Sequence, residues 1–337
     1  MKAVYYTKTG DAKNVLKVDT FDDPAPKKNQ VVLKIDYSSV NPADTKKRSG
    51  WISKKLKESF VIPHSDGCGE VVEVFNKTDK HYIGKKFWIC GGSKDNIFGT
   101  CAEYFSTNKN NLVSVPQNIS LLESSCLGVP VATAYFSVFS EFKKIDRFVF
   151  ISGGAGAVSN YAIQFAKLKG LKVITTVSSN YKKEMCKKIG ADLILNYKKL
   201  SQKEIIQSII EYTKGKMVDR CIEVDFGHNI SLLPKILKNN GIVCSYSSSS
   251  ILKPSFPYYL YAPKGINIKI VQAFLHDKIF LKKIGLFTNL LINKNKLKHP
   301  IVKSFNFYKS YGAHDYIENP KKIGMQLTMK WIFSISC

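Results

Sequence analysis

No stretch of the 337-residue sequence approaches the eighteen or so consecutive apolar residues that cross a bilayer, which argues against a spanning helix. Met1-Lys2-Ala3-Val4-Tyr5-Tyr6 also lacks the apolar segment and small-residue cleavage site of a secretory leader. With Cys337 last there is no prenylation box, and the expected address is the cytoplasm. The eight cysteines, at 68, 90, 101, 126, 186, 221, 244 and 337, contain no pair at C-x-x-C spacing, so neither a structural zinc lobe nor a redox dithiol is expected. Arginine is scarce too. Of 51 basic residues only Arg48, Arg147 and Arg220 carry the planar fork that base and phosphate recognition favours. The net charge of +25 therefore comes from lysines spread in ones and twos, such as Lys187-Lys188 and Lys321-Lys322. A solvated lysine surface accounts for it without a nucleic-acid partner.

What is present is a globular composition, 44% hydrophobic and 12% aromatic, in a chain longer than one core usually supports. Up to about Pro116 short runs such as Val31-Val32-Leu33-Lys34-Ile35 and Lys86-Phe87-Trp88-Ile89 alternate with turn residues, the pattern of a mainly β domain. Ser120-x-x-Glu123 has the spacing of a capping box and opens an apolar stretch expected to be helical through Phe139. Strand and helix patterns then alternate. Strands are expected at Phe148–Ile151, 172–177, 193–196, 218–224 and 241–246, with helices from about Val158 and Asn180, after Ser201-x-x-Glu204, and near 230–238. This βαβ rhythm predicts an α/β fold with a parallel, helix-covered sheet, and the less regular pattern after Pro254 suggests a return to the first domain. The boundaries expected are 1–122 with a return over 260–337, and 123–259 for the dinucleotide-binding domain.

The strand at 148–151 runs into Ser152-Gly153-Gly154-Ala155-Gly156-Ala157-Val158-Ser159 and then into an amphipathic helix. Gly154 suits the tight turn and Gly156 the close approach of a pyrophosphate, while the helix start, from Ala155 through Ala157 and Val158, offers free N–H groups. Serine stands at 159, where the full dinucleotide fingerprint has a third glycine. NAD-preferring enzymes place an acid at the end of the second strand to accept bonds from the ribose hydroxyls. No aspartate or glutamate occurs between Ile151 and Lys183, and that strand ends in Ser178-Ser179-Asn180-Tyr181-Lys182-Lys183. Hydroxyls and ammonium groups suit a 2′-phosphate, so the expected cofactor is NADPH. Val224, Tyr246 and Ser247, at the ends of later strands, complete the expected cofactor residues.

Five segments together resemble the zeta-crystallin-type quinone oxidoreductases, a zinc-independent branch of the medium-chain dehydrogenase/reductase superfamily, over nearly the whole chain. Asn41-Pro42-x-Asp44-x-x-x-Arg48-x-Gly50 is similar to the family's N-P-x-D-x-x-x-R-x-G segment, and Ser65-Asp66-x-x-Gly69 to its G-S-D-x-x-G segment. Gly99-x-x-Ala102-Glu103-Tyr104, Pro130-x-x-Thr133-Ala134-Tyr135 and Ala313-His314-Asp315 match three more. The resemblance implies a GroES-like catalytic domain beside a Rossmann domain, a homodimer, and contacts from Lys182 and Tyr197 to a 2′-phosphate. Zinc-dependent relatives have a metal-binding cysteine where Asn41 stands and a histidine where Ser65 stands, so no metal site is expected. His64, one position off, is expected to be exposed or hydrogen-bonded. Without zinc an alkoxide is hard to stabilise, whereas quinones and enones are already electrophilic. The expected reaction is NADPH-dependent reduction of such a compound, with Asn41 donating near the substrate oxygen or the nicotinamide and Thr133 holding the carboxamide. Asp44 and Arg48 are expected to pair. Lys46 replaces a frequent family tyrosine, and Gly324-Met325 replaces Gly-Lys.

Two other classes are set against this reading. A short-chain dehydrogenase needs Tyr-x-x-x-Lys well downstream of the glycine loop, but Tyr82-x-x-x-Lys86 precedes it and Tyr212-x-x-x-Lys216 follows too closely. The different-class alternative is a non-enzymatic cofactor-binding or nucleic-acid-binding protein of zeta-crystallin type, for which the basic charge is the warrant.

Overall fold

A computed structural model describes residues 1–51, 53–92, 98–143, 146–299, 302–319 and 326–330. The departure at Gly324-Met325 lies outside the described residues. Contacts divide the chain into two compact units, Met1–Ala132 with Phe274–Cys337, and Thr133–Ala273.

In the second unit, hydrophobic runs of four to nine residues, mostly buried on both faces, form a six-stranded parallel sheet. From edge to edge its order is Leu193–Asn196, Lys172–Val177, Phe148–Ile151, Val218–Glu223, Leu237–Ser245 and Asn267–Ile270. The first strand in sequence lies in the middle and the chain winds outward both ways, which is the Rossmann order. The switch point falls between Phe148–Ile151 and Val218–Glu223, and in sheets of this order ligands bind outside the carboxyl ends of the strands at that point. Helices Ala157–Leu168, Asn180–Lys188 and Gln202–Tyr212 connect the early strands. The last starts from the capping box seen in the sequence: Ser201 N donates to Glu204 (2.7 Å), and Glu204 N donates back to the Ser201 hydroxyl (3.3 Å).

Two stretches differ from the sequence reading. No helix spans 230–238: short turns occupy Phe226–Asn229 and Leu233–Ile236, and the strand already begins at Leu237. Asn239-Asn240-Gly241 resembles a turn but lies inside that strand, where Asn240 has φ +57° and the pairing slips register. The unread strand Asn267–Ile270 is short, mostly exposed and at the sheet edge, so it carries neither signature of a buried strand. For this reason the contact boundary after Ala273 falls later than the 259/260 expected, while the first falls at 132/133 rather than 122/123. The expected helix through Phe139 is also interrupted. Its capping box forms at Ser120 and Glu123, the first turn stops at Ser124, and a second helix runs over Gly128–Phe139.

The first unit is built on a seven-stranded, mostly antiparallel sheet whose central strand is Gln30–Val40. It pairs with Asp66–Val74, Tyr104–Asn108 and Gln326–Lys330. Val31, Leu33, Ile35, Val71, Phe87, Ile89 and Phe105 form one core on this sheet. This is the GroES-like domain.

Candidate functional site

The segment Asn41-Pro42-Ala43-Asp44-Thr45-Lys46-Lys47-Arg48-Ser49-Gly50 proves to be one complete helix with its own start and stop. Asn41 is the N-cap, Pro42 occupies the first turn, where its missing N–H costs nothing, and Asp44 reaches back to accept the Asn41 backbone N–H at 2.7 Å. Gly50 ends the helix in the left-handed region at φ +85°. Asn41 is pinned a second time, its side-chain Nδ2 donating to Asp66 Oδ2 at 2.9 Å. Asn41 and both carboxyls are buried. Burial pushes Asp44 up to about 7 despite the bond from Asn41, and pushes Asp66 up to about 8 despite bonds from Val129 N and Asn41.

The expected pairing of Asp44 with Arg48 does not occur. Arg48 is 1% exposed and donates instead to the Gly10 carbonyl and to Glu318. Helical geometry explains the miss, because the sequence spacing of four offered a local partner while tertiary packing supplied distant ones. Of the two roles expected for His64, exposure or hydrogen bonding, the structure shows the second. His64 is buried at φ +77°, a backbone region that favours glycine, and its ring is held at both nitrogens. Nδ1 lies 2.8 Å from the Ser38 hydroxyl and Nε2 lies 2.9 Å from Nε2 of buried His314. Desolvation lowers both imidazoles, His64 to about 3, so the pair is neutral.

Hydrogen counting fixes the direction of this chain. Thr100 gives its only hydroxyl proton to the Asp66 carbonyl at 2.7 Å, so Ser38 must donate to Thr100 (2.8 Å). Ser38 then accepts from His64 Nδ1, leaving His64 Nε2 to accept from His314. His314 Nδ1 is correspondingly bare, and it is a buried atom without a partner. The chain terminates on the residue whose carboxyl group holds Asn41.

In the other unit the glycine turn has the shape a dinucleotide requires. Gly153 is left-handed at φ +59°, and a side chain at Gly154 would collide with Thr175 Oγ1. At Gly156 a Cβ would meet only the Gly153 carbonyl at 3.3 Å, so the space there is open to a ligand. The helix Ala157–Leu168 starts next, presenting the N–H groups of its first turn. Ser159 explains the departure from the fingerprint, for it is buried and donates to the Ser152 carbonyl at 2.9 Å, tying helix to strand where a glycine would let them touch. Its hydroxyl also meets the Tyr246 hydroxyl at 3.0 Å. Val224 packs over the turn, 3.2 Å from where a Gly153 Cβ would stand, and its N–H donates to the Ser152 hydroxyl. Ser247 takes the Phe226 N–H on its carbonyl.

At the end of the second strand Ser179 caps the next helix by accepting from Lys182 N, and Lys182 Nζ lies 3.2 Å from the Ser178 hydroxyl. Desolvation lowers the Lys182 ammonium, and the nearby Lys198 lowers it further. Tyr197 extends from the neighbouring strand, its N–H on the Val177 carbonyl and its side chain exposed. Thr133 is buried in Gly128–Phe139, where its carbonyl accepts from Ser137.

Three residues escaped the sequence reading. Lys198 was one lysine among many, without a spacing to single it out. Asp66 was noticed only as part of a motif. Glu223, buried at the end of its strand with Oε2 unpartnered, accepts from Ser152, Asp225 N and Asn229, and desolvation raises it. An acid closing the apolar run Cys221-Ile222 was its signal.

The alcohol dehydrogenase GroES-like domain matches residues 27–117 and the zinc-binding dehydrogenase family matches residues 157–276. The chain belongs to the medium-chain dehydrogenase/reductase superfamily. Within that superfamily it is 32% identical to a zinc-type alcohol dehydrogenase-like protein of Staphylococcus aureus, over 55% of this chain and 56% of that one. It is 26% identical to the quinone oxidoreductase of Homo sapiens over 68% of each. The chain thus spans little more than half the length of the first of these relatives. The fold matches that of Escherichia coli quinone oxidoreductase complexed with NADPH, with a TM-score of 0.84 at 19% identity over 97% of this chain and 99% of that one. Among the described residues no group of three or more His, Cys, Asp or Glu could hold a metal, and no helix is long and apolar enough to cross a membrane.

Proposed function

We propose that this protein is a zinc-independent reductase that uses NADPH to reduce quinones or related conjugated enones. The observation that carries the reading is Asn41: where zinc-dependent members place a metal-binding cysteine, this chain holds an asparagine whose backbone N–H is bound by buried Asp44 and whose side-chain amide is bound by buried Asp66. When bound, NADPH supplies the hydride from its nicotinamide. The helix start at Ala157 receives the pyrophosphate, and Ser178, Lys182, Tyr197 and Lys198 receive the 2′-phosphate, which relieves the repulsion between the two lysines. Thr133 holds the carboxamide. Asn41 donates a hydrogen bond from Nδ2 to the substrate oxygen as negative charge grows there, and a quinone so polarised needs no Lewis acid to accept hydride.

The human quinone oxidoreductase supports the substrate class. The resemblance implies a cytoplasmic homodimer, and Asn267–Ile270 supplies a sheet edge with Ile268 and Ile270 exposed. The test is NADPH oxidation against a panel of small quinones, enones and ethanol, with NADH in parallel and metal content by elemental analysis. Turnover of a conjugated acceptor with NADPH preferred and no stoichiometric zinc supports the reading. Robust ethanol oxidation, one tightly bound zinc per chain, or steeply salt-dependent nucleic-acid binding without turnover overturns it.

A further inference from the structure

A buried carboxyl with one oxygen unpartnered is costly, and Asp66 is such a group: fully buried, with Oδ1 lacking any partner. Its other oxygen accepts twice, from Asn41 Nδ2 at 2.9 Å and from Val129 N, at the start of Gly128–Phe139, at 2.8 Å. Its surroundings leave it little freedom. Gly128 packs so close that a Cβ there would collide with Oδ1, and the Asp66 carbonyl anchors the directed chain from His314 through His64, Ser38 and Thr100.

The chemistry of the pair is directional. The two ends of an asparagine amide are nearly equal in shape, so packing alone hardly decides which faces a neighbour. Oδ2 decides it, because it already accepts from Val129 N and would repel Oδ1 of a flipped Asn41. One Nδ2 hydrogen is thereby consumed and the second remains to be presented, while Asp44 holds the backbone of the same residue.

We propose that Asp66 is a positioning residue for the reduction, setting through this one hydrogen bond the orientation in which Asn41 offers its amide. The inference rests on the reading of Asn41 as the donor to substrate. A helix cap acting through Val129 alone is the competing role, and the two separate cleanly. A cap contributes whether or not Asn41 is present, whereas a positioning residue has nothing to position once Asn41 is gone.

The experiment is a double-mutant cycle of Asp66→Ala and Asn41→Ala, with Asp66→Asn alongside, read as kcat/KM for a small quinone, NADPH affinity and thermal midpoint. Asp66→Ala should lower kcat/KM about tenfold or more in the wild-type background and less than about twofold in the Asn41→Ala background, with NADPH affinity unchanged. Asp66→Asn keeps a carbonyl acceptor for Asn41 and should recover most of the activity, which also answers a folding defect in the alanine variant. Independently of turnover, the Asn41 side-chain amide resonance, assigned by its loss in Asn41→Ala, should shift in Asp66→Ala and stay near its wild-type position in Asp66→Asn. Equal losses in both backgrounds, or an unmoved amide resonance, overturn the positioning role and leave the reductase reading standing. A wild type that reduces no conjugated acceptor overturns that reading and, with it, this one.

Discussion

At the glycine turn the groups offered to a ligand are backbone N–H groups at a helix start, with space left open beside Gly156. At the Asn41 helix they are side chains sealed away from water, among two carboxyls of raised pKa and two neutral imidazoles. The first arrangement needs only a permissive backbone, so it survives the substitution of serine for glycine at 159. The second depends on each partner's hydrogen count, and one change propagates through several residues. Recognition by backbone tolerates sequence change, and recognition by buried side chains does not.

The largest expected effect lies on the side-chain region. Asn41→Ala should lower kcat/KM for a quinone by roughly ten- to a thousandfold, the scale of one lost donor to developing charge, with NADPH affinity unchanged. If instead Asn41 serves only to start its helix, the variant will melt earlier and turn over normally, and the contrast between the regions fails. On the cofactor side, Lys182→Ala should cost about 1.5–3 kcal/mol of NADPH binding and erode discrimination against NADH. Titration calorimetry with both cofactors reads this directly, and wild-type protein binding both equally would refute it.

A glycine pair sharpens the comparison within the turn. Gly154→Ala forces a methyl group against Thr175 and Cys186 and should cost about 1–3 kcal/mol of stability. Gly156→Ala meets little protein, so its thermal midpoint should hardly move while NADPH binding weakens. Loss of stability in both, with cofactor binding intact, would show that the turn serves packing rather than a ligand.

The smallest effect is the pH dependence of stability, at most about 1.4 kcal/mol per pH unit for each buried group. His64 and His314 have depressed folded-state values, so what they contribute is present above their ordinary value near 6.5 and is lost as pH falls, toward about 3 for His64. Asp44 and Asp66 have raised values, so what they contribute is present below 3.8 and is lost as pH rises through about 7 and 8. From about 4 to 6.5 the two slopes oppose. Urea midpoints should therefore fall below that range and again between 6.5 and 8, and Asp66→Asn should flatten the alkaline fall and leave the histidine slope less opposed from about 4 to 6.5. An unchanged alkaline limb in that variant would remove Asp66 from the account.

Much of this was legible in the sequence, for reasons that particular residues make plain. The parallel sheet announced itself through buried runs such as Phe148–Ile151, and the glycine turn through its place between strand and helix. Capping boxes at Ser120 and Ser201 were readable because both partners sit three residues apart. Strand Asn267–Ile270 was hidden by its exposure, and the strand from Leu237 by a turn-like Asn240-Gly241 within it. What no local pattern could show were partners 25, 250 and 270 residues apart: Asn41 with Asp66, His64 with His314, and Arg48 with Glu318.

The directed chain from His314 to the Asp66 carbonyl has a consequence for spectroscopy. Each hydroxyl passes its one proton forward, so the two imidazoles cannot exchange roles without turning every member at once. Nitrogen spectra should show two neutral rings of opposite type, His64 carrying its proton on Nδ1 and His314 on Nε2, each as a single sharp species. Replacing Thr100 by valine would remove the fixed end, free the Ser38 hydroxyl to turn, and let both tautomeric arrangements appear as averaged signals.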